Sequence, residues 1–475
     1  MLCNGDFFLK NDILCDIFVL YNFTKKAYLL LAGGIMNKNI IIAGGGHGGI
    51  AAGALLARNG FNVTVYEKNS RENMGYDWTD IFAPNALSVA GIPMPDKSLY
   101  EYKTDMTFYS TNEKKAIRQR VPEDELEIKM ERRDIYNHII SFAEKCGVKF
   151  VYSCNIEKPI SKNGRVIGIK TDKGDFYGDL IIDACGCNSP VRTNLNHGLG
   201  VQNQMGAFER FYVYRAFYNK AAEKEIEDKY KVCLFPDNVL GIGWVATEDE
   251  YTDLLIGRFE PFTPEEAKES AEKFRQRNES LGTDVVRGGQ FVQIPVRHTL
   301  SIMVADGYAA IGDAAFMTVP IIGSGIANSF KAAKILADAI IDDRSGEYTA
   351  KSLWKYQYNY YKALGSGLSQ LATVKLLLTR LTPNELDYIF ENDILTWREM
   401  TITANSTSLK SFIHIASDMP KRGIAIVKDK ALLKKLLGVG EDIAKVVAVC
   451  LLMPKAYDKE KVYKWAKKYD NIFKV

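Results

Sequence analysis

Cysteine is scarce in this chain, eight in 475 residues, and no two stand at C-x-x-C spacing. That is too few for a disulfide-built scaffold. Histidine is rarer still at five, and no His or Cys cluster has the spacing of a metal site, so no metal is expected. The closest cysteine pair, Cys185 and Cys187, reads as packing at a strand end. Net charge is small, +3, which gives no case for nucleic acid as a partner. Long apolar runs are missing near the start. Ile17 to Tyr21 and Ala27 to Ala32 are too short to span a membrane. Lys25 and Lys26 interrupt them, and Asp6, Asp12 and Asp16 sit where a secretory signal carries positive charge. Residues 1–35 therefore read as a doubtful N-terminal extension, with Met36 as the expected start and a membrane-contacting segment as the rival reading. Internal repeats and low-complexity tracts are absent too. What remains has ordinary globular composition, 47% hydrophobic and 25% charged, with length for two or three domains.

Glycine, by contrast, is placed with meaning. Ile40 to Ala43 is a β-rich apolar run that reads as a buried parallel strand. Gly44, Gly46 and Gly49 come next in G-x-G-x-x-G spacing. The first suits a tight turn, the second the approach of a pyrophosphate, and the third close packing of helix on sheet. A helix of small apolar residues runs on from Ile50, and its N-terminal amides and dipole favour an anion. A second strand, Phe61 to Tyr66, ends at Glu67, eighteen residues past Gly49. A carboxylate there accepts hydrogen bonds from ribose hydroxyls. His47, inside the loop, is either filler or a cap near the ligand.

Two more glycine motifs lie further along, Gly178 to Gly186 and Asp306 to Ala315. In the latter, Gly307 to Ile311 reads as a short strand with Gly312 and Asp313 at its carboxyl end, where open α/β sheets hold ligands. Asp313 suits a polyol such as a ribityl chain. Pro320 to Gly325, with Gly323 and Gly325, then opens a helix whose amides suit negative charge developing on a flavin ring. The three motifs in this order point to FAD and to redox chemistry.

From Lys38 to Ala339 the chain resembles the para-hydroxybenzoate hydroxylase superfamily of FAD proteins, and within it the geranylgeranyl reductase branch. The resemblance implies an α/β fold: a Rossmann-type FAD-binding domain, an interleaved antiparallel-sheet substrate domain and a helical C-terminus. It further implies that Gly44, Gly46 and Gly49 bind pyrophosphate and Glu67 the adenosine ribose. Arg133 stands for the arginine that opens a helix and reaches the cofactor, Gly312 and Asp313 for the ribityl site, and Pro320 to Gly325 for the loop beside the isoalloxazine. Two departures stand out. The middle motif reads Asp183-Ala184-Cys185-Gly186, with cysteine where hydroxylases carry aspartate, which speaks against a hydroxylase. Met74 to Asp80 lacks the cysteine of the Cys-Gly-Gly segment common in these reductases, while Asn85 to Pro93 still resembles the branch.

The expected division is an FAD-binding core over 36–200, a substrate-binding sheet over 201–300, a return to the FAD-binding domain over 301–345 and a helical region over 346–475. Asp134 to Cys146 reads as a helix, and Lys149 to Cys154 and Arg165 to Thr171 as strands, with a turn at Lys162-Asn163-Gly164. Alternating aromatic and polar residues from Phe208 to Tyr214 read as a sheet with one covered face. Trp244 is the aromatic expected to line the substrate pocket, and His298 is a candidate pocket residue. No catalytic acid or base stands out beyond His47, His298 and Trp244. The aromatic run Trp354 to Tyr361 reads as a helix packed on the core. Residues 421–475 hold 14 Lys or Arg against 6 Asp or Glu, interleaved with apolar residues. That pattern is either a solvated basic face or contact with an anionic membrane surface.

The function expected is hydride transfer between FAD and an apolar organic substrate of isoprenoid-like kind, with NAD(P)H or a ferredoxin-like protein as electron donor. The alternatives are a monooxygenase using NAD(P)H and O2, and a redox-neutral flavin-binding cyclase. The expected location is cytoplasmic, with peripheral membrane contact through the basic C-terminal region as a second reading.

Overall fold

A computed structural model describes residues 38–202, 204–206, 208–221, 228–400 and 419–474. The expectations for residues 1–35 and Met36 lie outside the described residues.

The central sheet has six strands, in spatial order Val304–Ala305, Tyr308–Ala310, Leu180–Asp183, Asn39–Ala43, Asn62–Tyr66 and Lys149–Val151. The last five run parallel, and the first closes the edge as an antiparallel hairpin. Ile40 to Ile42 and Leu180 to Ile182 are almost wholly apolar because both faces of a parallel sheet are covered. Helices His47–Arg58 and Ile326–Ile341 pack against one another, so closely that a Cβ on Gly48 would sit 3.2 Å from the Ser329 Cβ. The register aligns the strand ends. Ala43 lies beside Asp183, and Asp183 beside Ala310, so three strands end level with one another. Three glycine motifs far apart in sequence therefore leave the sheet side by side.

The second large sheet has seven strands, in order Leu281–Pro295, Arg210–Lys220, Tyr251–Arg258, Gly241–Thr247, Tyr230–Leu234, Thr107–Tyr109 and Ala116–Arg118. It realises the aromatic–polar pattern, with two additions. Helix Pro264–Arg277 covers one face through Ala267, Ala271 and Phe274. Two strands from before residue 200 extend the far edge, the first of them parallel to Tyr230–Leu234. The opposite face gathers Trp78, Phe211, Val213, Phe217, Leu255 and Val292. The sheet is thus covered on both faces.

Smaller elements agree closely with expectation. Arg165–Thr171 pairs with Ile156–Lys162 across a turn in which Asn163 and Gly164 both take positive φ, 51° and 78°. The expected helix from Asp134 starts two residues earlier, as Arg132–Lys145. The aromatic run lies on helix Ala350–Tyr360 and the wide turn after it, with Trp354, Tyr356, Tyr360 and Tyr361 buried in the main core. The Tyr356 hydroxyl donates to the Ala310 carbonyl at 2.9 Å, tying this helix to the sheet. Beyond it come Ser366–Leu378, Pro383–Glu391, Lys430–Leu451 and Lys459–Ile472. No helix of the described residues is long and apolar enough to cross a membrane.

Candidate functional site

The first loop and the middle motif are packed into each other. Gly44 has φ of +86°, and a Cβ there would sit 2.7 Å from the Cys185 Cα. A Cβ on Gly46 would sit 2.8 Å from the Ala184 carbonyl oxygen, and one on Gly49 2.6 Å from the Ala184 Cβ. Gly49 thus serves the helix-to-sheet packing expected of it. Gly46 has a second duty that spacing did not reveal, room for the crossing middle motif. Glu67 ends its strand as expected and is buried. Its carboxylate accepts the Gly45 N–H at 2.7 Å and the Asn69 N–H at 2.9 Å, so it also steadies the glycine loop.

The middle motif is built around Asp183, which is fully buried. It accepts from the Ser189 hydroxyl at 2.6 Å, the Tyr308 hydroxyl at 3.0 Å and the N–H groups of Cys185 and Arg192 at 3.1 Å. Burial raises its pKa, and these donors work against that rise. Burial and the Asp313 charge push the Cys187 thiol up to about 11, so it stays protonated, in keeping with a packing role.

In the third motif, burial raises the pKa of Asp313, opposed by the Thr318 hydroxyl, which donates to its Oδ1 at 2.6 Å, and by Arg132. A Cβ on Gly325 would fall 2.9 Å from Thr318 Oγ1 and 3.2 Å from Asp313 Oδ1, so the loop from Pro320 closes back on the acid. Gly312 begins the short turn that carries Asp313, Pro320 is buried, and Gly323 approaches Ile294 of the aromatic sheet.

One expectation needs a correction of one position. Arg133 is exposed. Its neighbour Arg132 points inward and grips Asp80 with two hydrogen bonds, of 2.5 and 2.7 Å. The helix phase explains the choice: Arg132 stands on the stripe of Ile135, Ile139 and Ala143, which Arg133 does not share. That stripe was the signal that would have found it. Burial pushes the Asp80 carboxyl up, but Arg132 outweighs it and holds it below the usual range. His47 sits beside this pair, stacked on Tyr136 at 4.5 Å with Phe330 edge-on at 6.1 Å. Its Nε2 is enclosed and finds no partner among the described residues. Burial, with help from Arg132, pushes its pKa down to about 3, so the ring is neutral.

His298 is not with this group. Its ring stacks on Phe473 at 4.0 Å and meets Tyr469 edge-on, both at the C-terminal helix. The Arg297 guanidinium lies 2.7 Å from its Nε2. Burial and Arg297 hold its pKa well below the ordinary value. The expectation of a pocket histidine at 298 is therefore corrected: it belongs to the joint between the C-terminal helix and the core.

On the aromatic sheet, Trp244 stands beside a buried arginine that went unread in the sequence. Arg215 is buried, donates to Asp253 at 2.9 and 2.6 Å, and reaches Thr79 O and Oγ1 at 2.7 and 2.8 Å. Trp244 lies with its ring centre 5.3 Å from that guanidinium. Thr79 precedes Asp80, so this pair joins the aromatic sheet to the group around Arg132.

The site suits FAD by its own geometry. Helices His47–Arg58 and Ile326–Ile341 both start from glycine, with no side-chain cap and no acid in the first turn. Their free amides and positive ends lie near the level strand ends, where an anionic group is stabilised. Asp313 supplies an acceptor for hydroxyls between them.

Known proteins share this architecture. Residues 42–85 match the NAD(P)-binding Rossmann-like domain. The chain is 24% identical over 376 residues to the digeranylgeranylglycerophospholipid reductase of Methanothrix thermoacetophila, covering 75% of this chain and 91% of that protein. The protein of the same name from Haloferax volcanii is 22% identical, covering 75% and 89%. Among solved structures, a geranylgeranyl bacteriochlorophyll reductase-like protein of Thermoplasma acidophilum gives a TM-score of 0.69 at 19% identity, over 84% of this chain and 100% of that one. A myxobacterial chondrochloren halogenase, one of the FAD-dependent halogenases, gives 0.55 at 15% identity, over 92% and 97%. The fold is the α/β one that the glycine motifs implied, with a Rossmann-like domain, several sheets and a helical C-terminus.

Proposed function

Taking the chain as an FAD-dependent oxidoreductase of the geranylgeranyl reductase branch, we propose that it moves hydride between the flavin and an apolar, isoprenoid-like substrate at a carbon–carbon double bond. One observation carries this reading: two uncapped helix starts and Asp313 converge at the strand ends, and Gly323 of that group meets Ile294 of the apolar sheet face. When bound, FAD supplies the hydride chemistry at its N5. The amides at the uncapped start of helix His47–Arg58 would hold the pyrophosphate, Glu67 the adenosine ribose and Asp313 the ribityl hydroxyls. The loop with Pro320, Gly323 and Gly325 would hold the isoalloxazine, its amides suited to negative charge on the ring. Arg132, kept charged and in place by Asp80, balances the cofactor's anionic groups. Trp244 and its aromatic neighbours exclude water from the substrate.

We assign the FAD-binding core to residues 36–200 and 301–345, the substrate sheet to 201–300 with the two strands lent from 107–118, and the helical region to 346–475. Peripheral contact with an anionic membrane belongs to the same proposal. Helix Lys430–Leu451 and the residue after it expose Leu437, Leu451 and Leu452 at 65%, 72% and 74% within a basic region. Sedimentation with phosphatidylglycerol vesicles, and none with phosphatidylcholine, is the expected outcome.

The visible spectrum of the purified protein, before and after anaerobic NADPH, tests the central reading. Flavin bands that bleach mark a nicotinamide donor. Bands that persist and bleach with a reduced ferredoxin mark a protein donor. NADPH consumption in air with peroxide release favours the monooxygenase alternative. No flavin bands even after reconstitution with FAD overturn the assignment.

A further inference from the structure

Two buried hydrogen-bond donors beneath the aromatic sheet are left without acceptors. The Arg215 guanidinium lies 5.4 Å from the Trp78 ring centre, 5.2 Å from Phe217 and 5.3 Å from Trp244. The indole N–H groups of both Trp78 and Trp244 are enclosed, and among the described residues neither finds a partner. Each unmade bond of this kind costs about 1–3 kcal/mol. A cage that only packed around Arg215 would be served as well by phenylalanine, as it is at Phe217.

From this juxtaposition we propose that Trp78 and Trp244 form a recognition site for a neutral hydrogen-bond acceptor, an alcohol, ether, ester or ketone oxygen, on an otherwise apolar ligand. The inference rests on the reading under Proposed function and adds to it what marks one end of the substrate. Three features select this chemistry. Only N–H groups are unpaired, so the ligand group must accept. The charges around the cage are already balanced: Arg215 and Asp253 bind each other with side chains 6% and 3% exposed, Arg132 beside Trp78 is paired with Asp80, and Arg287 beside Phe217 is paired with Glu131. A phosphate entering there would lose its hydration without a net countercharge, whereas a neutral oxygen loses little. The surroundings of the cage, Phe211, Val213, Leu255 and Val292, are apolar, which suits a hydrocarbon chain.

The cage also has a defined relation to the cofactor residues. The Trp78 ring lies within 5.4 Å of the Arg215 guanidinium and 5.8 Å of the Arg132 guanidinium. It is a shared wall, so an oxygen anchored on its indole sets how far along the chain a carbon lies from the flavin site. The site accordingly selects for position as well as for polarity.

The test uses the FAD-loaded protein with 15N-labelled tryptophan and two probes of the same carbon skeleton, farnesol, which carries a hydroxyl, and farnesene, which has one further double bond in its place. Binding is read by perturbation of the flavin spectrum and by the indole N–H signals. Farnesol is expected to move the two signals that vanish in Trp78→Phe and Trp244→Phe, and farnesene to leave them in place. Trp244→Phe should weaken farnesol about fivefold, the equivalent of one neutral hydrogen bond, and leave farnesene unchanged. Its melting temperature should be equal to or above that of the parent, since an unpaired donor is removed. Equal weakening of both probes, or saturation with farnesol without movement of either signal, overturns the proposal. So does tighter binding of farnesyl phosphate through the same two N–H groups. If neither farnesol nor farnesene binds the parent protein, the isoprenoid reading itself fails and takes this inference with it. Should Trp78→Phe not fold, Trp244→Phe alone decides.

Discussion

Helices in this molecule begin in two ways. Pro264–Arg277 and Pro383–Glu391 carry complete capping boxes, Thr263 with Glu266 and Thr382 with Glu385. Ala350–Tyr360, Lys430–Leu451 and Lys459–Ile472 are capped by Thr349, Asp429 and Asp458. The two helices at the glycine motifs begin at Gly46 and Gly325 with no cap at all. A side-chain cap is worth about 1 kcal/mol, so leaving it out is a loss unless another group takes the free amides. Arg132–Lys145 and Ser366–Leu378 also lack a side-chain cap, so a missing cap points to a ligand only where, as at Gly46 and Gly325, the helix also starts from a glycine loop near the strand ends with no acid in its first turn.

Breaking the ligand side should have the largest effect. Gly46→Val drives a branched side chain toward the Ala184 carbonyl and across the pyrophosphate site, and the purified variant should carry no flavin by its absorbance ratio. Next comes the Arg132–Asp80 pair beside His47. Asp80→Ala leaves Arg132 with its charge unbalanced, at a cost of about 3–5 kcal/mol in urea unfolding. The double variant Asp80→Ala with Arg132→Met should recover much of that loss, as a double-mutant cycle reads.

Acid sharpens the comparison further. The unfolded His47 takes up a proton near pH 6.5, and the folded one only near 3. The unfolded state therefore binds more protons between those values, and stability falls as pH drops through 6.5, levelling off near 3. The contribution of this group between pH 6.5 and 5 is about 2 kcal/mol. His47→Phe should flatten the decline measured by urea unfolding, leaving the part due to His298, which shifts in the same direction. The smallest effect belongs to the fold side. Thr263→Ala removes a capping box and should cost about 1 kcal/mol with full flavin occupancy. Loss of flavin in that variant would erase the distinction between the two kinds of helix start.

Much of this was legible in the chain. The strand runs, the placing of the glycine motifs at strand ends, the hairpin at Asn163-Gly164 and the packing of the Trp354 to Tyr361 run are as read from the chain, because each rests on local spacing. Arg132 was missed by one residue because two adjacent arginines look alike until the helix phase is set by Ile135 and Ile139. His298 was misplaced because the residues that enclose it, Tyr469 and Phe473, lie about 170 positions away. Helix Pro264–Arg277 went unread although Thr263 to Glu266 spells a capping box.

By itself, then, the sequence determined that three parallel strands would each end in a glycine turn, the setting that suits a dinucleotide. Backbone geometry of that kind depends on neighbours along the chain. Only the tertiary structure decided that Arg132 meets Asp80, that Arg215 meets Asp253 and Thr79, and that two indole rings stand beside the same guanidinium. Those meetings depend on where one sheet crosses another and on which side of a helix turns inward, and no spacing within a single segment encodes either.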